Sequence, residues 1–314
     1  MSFPVFDLHC DTACALLGSD RNSVGELRKN QLHIDLERAR KLGGYAQCFA
    51  CYTSPLMEGI SPVVMFEREL ATIQREIDKN KRLISIAYTM EDVRANLEKG
   101  KMSAILTMEG PAGIGYDPAL LEDLSLIGFR MTTLTWNESN PLAGSHLTGG
   151  GLTDQGREFV KEAQRLGMII DVSHLSDEAF WDIMDVTQAP IVASHSNSRS
   201  VHNVSRNLSD DMFLAICATG GVVGVNQYRH FVGEKPTLDT VCDHILHWIE
   251  LDPQCKHIAL GSDLDGCDAL CEGFEGIHSY PALARQLLTR GLTEELVHNI
   301  FWNNGFEVFE KCCM

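Results

Sequence analysis

The sequence predicts a (β/α)8 barrel made by one domain over residues 1–314, and three observations lead there. Short apolar runs alternate with segments of helical periodicity, placing eight strands near residues 4, 46, 103, 131, 169, 191, 222 and 258. The length suits an α/β barrel built as one unit, and no Pro/Gly/Ser-rich linker divides the chain. Polar residues able to do chemistry follow the ends of several apolar runs, the rim where such barrels carry their sites.

The clearest unit is Gly167 to Arg199, in which two apolar runs, Met168 to Val172 and Ile191 to Ala193, flank a helical segment. Each run ends in Ser-His. A right-handed parallel crossover brings both carboxyl ends to one side of the sheet, so His174 and His195 should emerge as neighbours. Two imidazoles at equivalent strand ends suit a shared metal ion.

The other elements follow in order. Val5 to Leu8 is a strand running into His9-Cys10-Asp11, where alternation puts His9 and Asp11 on one face and Cys10 on the other. Ile34 to Leu42 reads as a helix stopped by Gly43-Gly44, and Tyr45 to Tyr52 as a buried strand. Phe66 to Lys79 and Glu91 to Lys99 are charged helices, with Leu83 to Ala87 as an extra strand between them. Met102 to Met108 is a strongly apolar strand ending in Glu109-Gly110-Pro111. Arg130 to Leu134 leads into Thr135-Trp136-Asn137 and a long loop containing His146. Thr153 or Asp154 caps the next helix. Ser209 caps another, with Arg206 just before it. Gly220 to Val225 is a strand whose glycines suit a tight barrel wall. Leu238 to Glu250 is a helix with His244 and His247 on its flank, and Lys256 to Leu260 is a strand ending in GSDLDG. Pro281 to Thr289 and Thr293 to Glu310 are helices expected to complete the outer ring.

Composition narrows the function. Lys and Arg total 26 against 43 Asp and Glu, a formal charge of −17, and no basic stripe is present. Nucleic acid and anionic membrane surfaces are thereby excluded as partners. The start, MSFPVFDLHCD, lacks the basic and long apolar stretch of a signal peptide, and no run is long enough to span a bilayer. A cytoplasmic location is expected, with the eleven Cys as reduced thiols. Cys48 and Cys51 form C-x-x-C, but on a strand residues three apart face opposite ways, against a redox role. Asp263-Leu-Asp265-Gly suggests a calcium loop, yet Cys267 stands at the third ligand position and the closing Glu is missing.

On a barrel rim His9, Asp11, Glu109, His174, His195 and Asp263 come from five different strands. One catalytic zinc needs three protein ligands, so this set fits two divalent ions bridged by a carboxylate and a water. The expected assignment gives His9 and Asp11 to one ion, His174 and His195 to the other, and Glu109 to the bridge. Asp263 then accepts a proton from the water that becomes the attacking hydroxide and donates it to the leaving amine. Arg206 suits a substrate carboxylate.

In series, DLHCDT, LTMEGP, IDVSHLS, ASHSNSR, RNLSDD and LGSDLDG resemble the membrane dipeptidase (peptidase M19) family of amidohydrolases over nearly the whole chain. The resemblance implies a barrel with two zinc ions that cleaves dipeptides, including those with a D-residue at the carboxyl side. It also implies the same roles for His9, Asp11, Glu109, His174, His195, Arg206 and Asp263, and a possible homodimer. One departure stands out. Animal members carry a histidine after the Leu-Thr of strand four, where Trp136 stands here as a substrate-binding residue. An indole donates one hydrogen bond and cannot become cationic, so His146, Asn137 or Asn140 from the adjoining loop is the alternative polariser. Two rival readings remain at this stage: an N-acyl-amino-acid deacylase on the same centre, and a barrel that binds a peptide or metabolite without turning it over.

Overall fold

The computed structural model describes residues 3–17 and 25–313. Eight strands, β1 (Val5–Cys10), β2 (Tyr45–Tyr52), β3 (Met102–Glu109), β4 (Phe129–Thr133), β5 (Ile169–Asp171), β6 (Ile191–Ala193), β7 (Val222–Val225) and β8 (Ile258–Leu260), pair in parallel with their neighbours. β8 returns to β1 through Asp7↔Leu260 and closes the barrel. The extra strand expected near residue 85 is Ile84–Ile86, held on the lower part of the β3 edge while β4 takes the upper part. The helix expected over residues 34–42 is only Leu36–Ala39. Ser or Thr side chains cap the helices at residues 61, 153, 176, 209 and 237, each accepting from the backbone N–H three residues on.

Strand alternation fills the barrel interior with Phe6, Leu8, Cys48, Ile105, Met131, Ile169, Val192, Val222 and Ala259. Cys51 belongs instead to the cluster between strands and helices, so the two C-x-x-C thiols do face opposite ways. β1 departs from strict alternation. Asp7 pairs with Gln47 and Cys10 with Phe49, so β1 has one extra residue there, a β-bulge. Leu8 and His9 both turn inward as a result: Leu8 joins the lower core, and His9 rises into the space above it.

On β7 and β8 the backbones approach closely. A Cβ at Gly224 or Gly261 would collide with the Ser194 carbonyl oxygen, so only glycine fits at this stretch of wall.

The last helix, Asn304–Cys312, does not complete the outer ring as its periodicity suggested. It crosses beneath the barrel, from Asn304, whose Nδ2 donates to Cys255 O (2.8 Å) and Ile258 O (2.7 Å), to Cys313 beside Arg130 O. Its rings close the lower mouth against Phe6, with Phe309 at 5.4 Å and Phe306 at 6.4 Å between centroids. No described helix is long and apolar enough to cross a membrane.

Candidate active site

At the carboxyl ends of the strands the structure gathers His9 and Asp11 (β1), Glu109 (β3), His174 (β5), His195 (β6) and Asp263 (β8). All are buried. Gly110 has φ 78, which lets the chain turn sharply past Glu109 while its N–H donates to Thr133 Oγ1 at 2.7 Å. His174 and Asp263 themselves hold left-handed backbone, φ 70 and 59, a conformation costly for a side chain with a Cβ and typical of functional positions.

Glu109 is the centre of the cluster. One carboxylate oxygen, Oε1, lies 2.9 Å from His174 Nε2 and 3.6 Å from His195 Nε2; the other, Oε2, lies 3.6 Å from His9 Nε2. Asp11 Oδ2 is 3.2 Å from that same His9 nitrogen. Asp11 Oδ1 is buried with no hydrogen-bond partner. Asp263 Oδ2 accepts from Asn226 Nδ2 at 3.0 Å.

The hydrogen bonds behind the imidazoles fix their tautomers. Asn137 Oδ1 accepts from His174 Nδ1 (2.9 Å), so the proton is there and His174 Nε2 carries a lone pair. Ser194 Oγ donates to Asp171 Oδ2, so it accepts from His195 Nδ1 (2.6 Å), leaving His195 Nε2 with a lone pair as well. These two lone pairs face each other at 2.9 Å and both face a carboxylate. Electron-rich atoms converge in this way when a cation lies among them. With the orphaned Asp11 oxygen, this donor set of imidazole and carboxylate suits divalent metal ions. Three overlapping groups meet the spacing needed, His9–Asp11–Glu109, Glu109–His174–His195 and His9–Asp171–His195.

Charge follows the same logic. Burial, with Arg206 nearby, pushes His174 and His195 well below the ordinary imidazole range, so both are neutral and able to ligate. Burial opposes charge on His9 too, but Glu109, Asp11 and Asp263 outweigh it and hold its pKa at about 10. Burial first, then Asp11, pushes Glu109 well up; burial also raises Asp263, against the pull of His9. The protein alone gives this site a surplus of carboxylates.

Above the cluster is a cavity of about 420 Å³, lined by Tyr52, Trp136, Tyr228 and Phe231 on its aromatic sides and by Asp11, Asp263, Asp265 and Asp268. Trp136 meets Tyr52 edge to face at 5.0 Å. Arg206 is buried behind Phe231, its guanidinium 5.2 Å from that ring. Its own contacts are long, Nη1 to Ser196 Oγ at 3.4 Å and Nη2 to His195 O at 3.3 Å, and Nε has no partner. Burial lowers its pKa to about 10, which leaves it cationic at neutral pH.

Of the loop residues considered, Asn137 joins His174 to His146, whose Nε2 lies 2.9 Å from Asn137 Oδ1, while Asn140 turns away to bond Leu134 O. Within the long loop, Ala143–Ser145 and Gly149–Leu152 form a hairpin, permitted by positive φ at Gly149 and Gly150. Asp265 is tied to Thr12 Oγ1 (2.7 Å) and His33 N (2.6 Å), a brace for the rim. His244 is not on a flank: it is buried, and Ser198 N donates to its Nδ1 at 3.2 Å. Sequence reasoning missed Asp171, Asn226 and the aromatics Tyr52, Tyr228 and Phe231. For Asp171 a signal existed, an acid at an inward position of an apolar run.

The chain was compared with known proteins. The model of the membrane dipeptidase family (peptidase family M19) matches residues 1–313. Two uncharacterised dipeptidases of Schizosaccharomyces pombe are similar. One is 33% identical over 259 residues, 78% of this chain and 63% of its own length. The other is 32% identical over 304 residues, 89% of this chain and 72% of its own. Among solved structures, a metallopeptidase from Rhodobacter sphaeroides liganded with a phosphinate mimic of the dipeptide L-Ala-D-Ala superposes with a TM-score of 0.89. It is 26% identical and covers 99% of this chain and 100% of that one. A dipeptidase described as a family M19 metallopeptidase gives a TM-score of 0.87, at 29% identity and 99% coverage of both chains.

Proposed function

This chain belongs to the membrane dipeptidase family, peptidase family M19, and from that premise we propose that it is a zinc-dependent dipeptidase that hydrolyses dipeptides, L,D-dipeptides among them. The observation that carries the reading is the Glu109 carboxylate, with His9 on one oxygen and His174 and His195 on the other. The inclusion of L,D-dipeptides draws support from the Rhodobacter sphaeroides relative, liganded with a mimic of L-Ala-D-Ala.

In this proposal His9 and Asp11 would hold one ion and His174 and His195 the other, with Glu109 as the carboxylate shared by both. Two divalent ions bound there would supply acidity to a water, bringing its pKa from about 15.7 toward roughly 7. Asp263 takes up the proton of that water and hands it to the leaving amine. Burial raises its pKa, which makes its carboxylate a better proton acceptor than an exposed Asp, and Asn226 Nδ2 donates to Oδ2. Arg206 receives the substrate carboxylate with its under-used donors.

Order around the barrel then orients the substrate. Arg206 and Phe231 follow β6 and β7, whereas Tyr52 and Trp136 follow β2 and β4 across the opening. A dipeptide anchored at Arg206 lays its amino-terminal side chain on the Tyr52–Trp136 wall. Trp136 is thus a packing surface, and the polarising role of the animal enzymes' histidine would fall to the bound ions.

The test is metal analysis of the purified protein with a panel of L,L, L,D, D,L and D,D dipeptides and N-acetyl amino acids. Two equivalents of zinc and fastest turnover of dipeptides are expected. Faster turnover of the N-acetyl amino acids would replace the peptidase with a deacylase.

A further inference from the structure

We propose that Asp7 and Asp171 are a pair of positioning residues, each clamping two neighbouring strands where site residues leave the barrel, so that each governs a different half of the centre. The inference rests on the two-ion reading above. Both carboxylates are buried, Asp7 bonded by Tyr280 and Asp171 within metal-binding spacing of His9 and His195, and neither belongs to the ligand set proposed.

Their bonding follows one plan. Asp171 Oδ1 accepts from Ser173 N and from Ser194 N, both at 2.9 Å, and Oδ2 accepts from Ser194 Oγ. Ser173 precedes His174 beyond β5, and Ser194 precedes His195 beyond β6. Asp7 Oδ1 accepts from His9 N at 3.0 Å and from Gln47 Nε2 at 3.2 Å; its Oδ2 accepts from Ser262 N at 3.0 Å and Tyr280 Oη at 2.7 Å. His9 leaves β1, and Ser262 precedes Asp263 beyond β8. Each acid therefore takes one backbone N–H from its own strand, two residues on, and one from the neighbouring strand.

The reason lies in how a barrel opens. Ladder pairing between β1 and β8 is the single pair Asp7↔Leu260, and that between β5 and β6 ends at Asp171↔Val192. Just beyond these points the strands part to present side chains, and the N–H groups of His9, Ser262, Ser173 and Ser194 have no carbonyl partner; β1 meets the chain after β8 again at Cys10↔Leu264, where Asp11 N donates to Leu264 O. A carboxylate with several donors satisfies them and is itself compensated for burial.

An amide cannot replace either acid. At position 171 the two backbone N–H groups demand an oxygen, so an Asn would aim its NH2 at Ser194 Oγ. That hydroxyl would turn its proton to His195 Nδ1 and drive the imidazole proton to Nε2, the atom facing Glu109. At position 7 an oxygen kept toward His9 N sets an NH2 against Ser262 N–H, which loses its 3.0 Å acceptor and keeps only the longer contact to Oδ1 at 3.3 Å.

The experiment measures stepwise zinc dissociation constants of the full-length protein by competition with a chromophoric chelator. Cobalt(II)-substituted spectra of His9→Ala and His195→Ala mark which step belongs to which ion. Asp171→Asn should weaken the His174/His195 ion by about 10- to 100-fold and leave the other within about threefold, and Asp7→Asn should do the reverse. Ser194→Ala and Tyr280→Phe, which spare the backbone clamps, should repeat the two patterns at about tenfold even if the carboxamide variants fail to fold. Equal weakening of both ions in every variant overturns the proposal. So do lowered unfolding midpoints with unchanged zinc constants, the result of a purely structural role. Wild-type protein holding fewer than two ions overturns the two-ion reading and the division between the acids with it; wild type with two ions and indifferent variants overturns the clamps alone.

Discussion

Arg206→Ala separates the proposed substrate clamp from every structural role of this side chain. In the free protein the guanidinium makes two long hydrogen bonds, at 3.3 and 3.4 Å, and rests on Phe231, with Nε unpaired. Its removal therefore costs the fold little, roughly 1 kcal/mol, because a buried charge leaves along with those weak contacts. The bound state is different. A bidentate pair with a carboxylate contains two charge-assisted bonds, each worth about 1.5–3 kcal/mol. Taking about 3 kcal/mol for the pair, since such contributions are not additive, and 1.4 kcal/mol per decade, kcat/KM for a dipeptide should fall by about 150-fold. A dipeptide amide, which offers no anion, should lose less than about tenfold. The assay is kcat/KM for matched acid and amide substrates on both proteins, with unfolding midpoints as the control. Equal losses on acid and amide would refute the clamp, and an unfolding midpoint lowered by more than about 10 °C would show that the side chain's structural contribution had been misjudged.

Three further outcomes are expected. Asp263→Asn should lower turnover by at least about a hundredfold with the metal count unchanged, since the residue moves protons; loss of metal from that variant, read by elemental analysis, would make it a ligand instead. Glu109→Gln should impair both ions together, because its two oxygens face opposite imidazoles; an unchanged metal count removes it from the bridge. Phe309→Ala should cost about 3–5 kcal/mol in chemical denaturation, as expected for a fully buried ring, while KM is preserved because the helix lies at the mouth opposite the cavity.

Much of this arrangement was legible before the structure. The eight apolar runs and the polar residues that follow them placed the rim, because period-two alternation and strand-end position are local properties. Features that depend on what an element meets were not legible. The helix Asn304–Cys312 has an apolar face that serves equally well in an outer ring or under the barrel, and only its contact with Phe6 decides. Alternation placed His9 and Asp11 together, yet nothing in VFDLHC announces the extra residue that lets Leu8 and His9 both face inward. His244 read as a flank residue because a helix position gives no notice of the loop that packs on it. Of the partners of Asp171, Ser194 lies 23 residues away, just past β6, beyond the reach of any local pattern.

The cover beneath the barrel has a consequence for how the molecule is made. Phe6 leaves the ribosome early, and Phe309, which shields it, is 303 positions later in the chain. At about 5–20 residues per second, translation leaves that ring waiting roughly 15–60 s for its partner. Throughout that interval the unfinished chain holds an uncovered apolar ring, a surface for chaperones to hold and for neighbouring polysomes to foul.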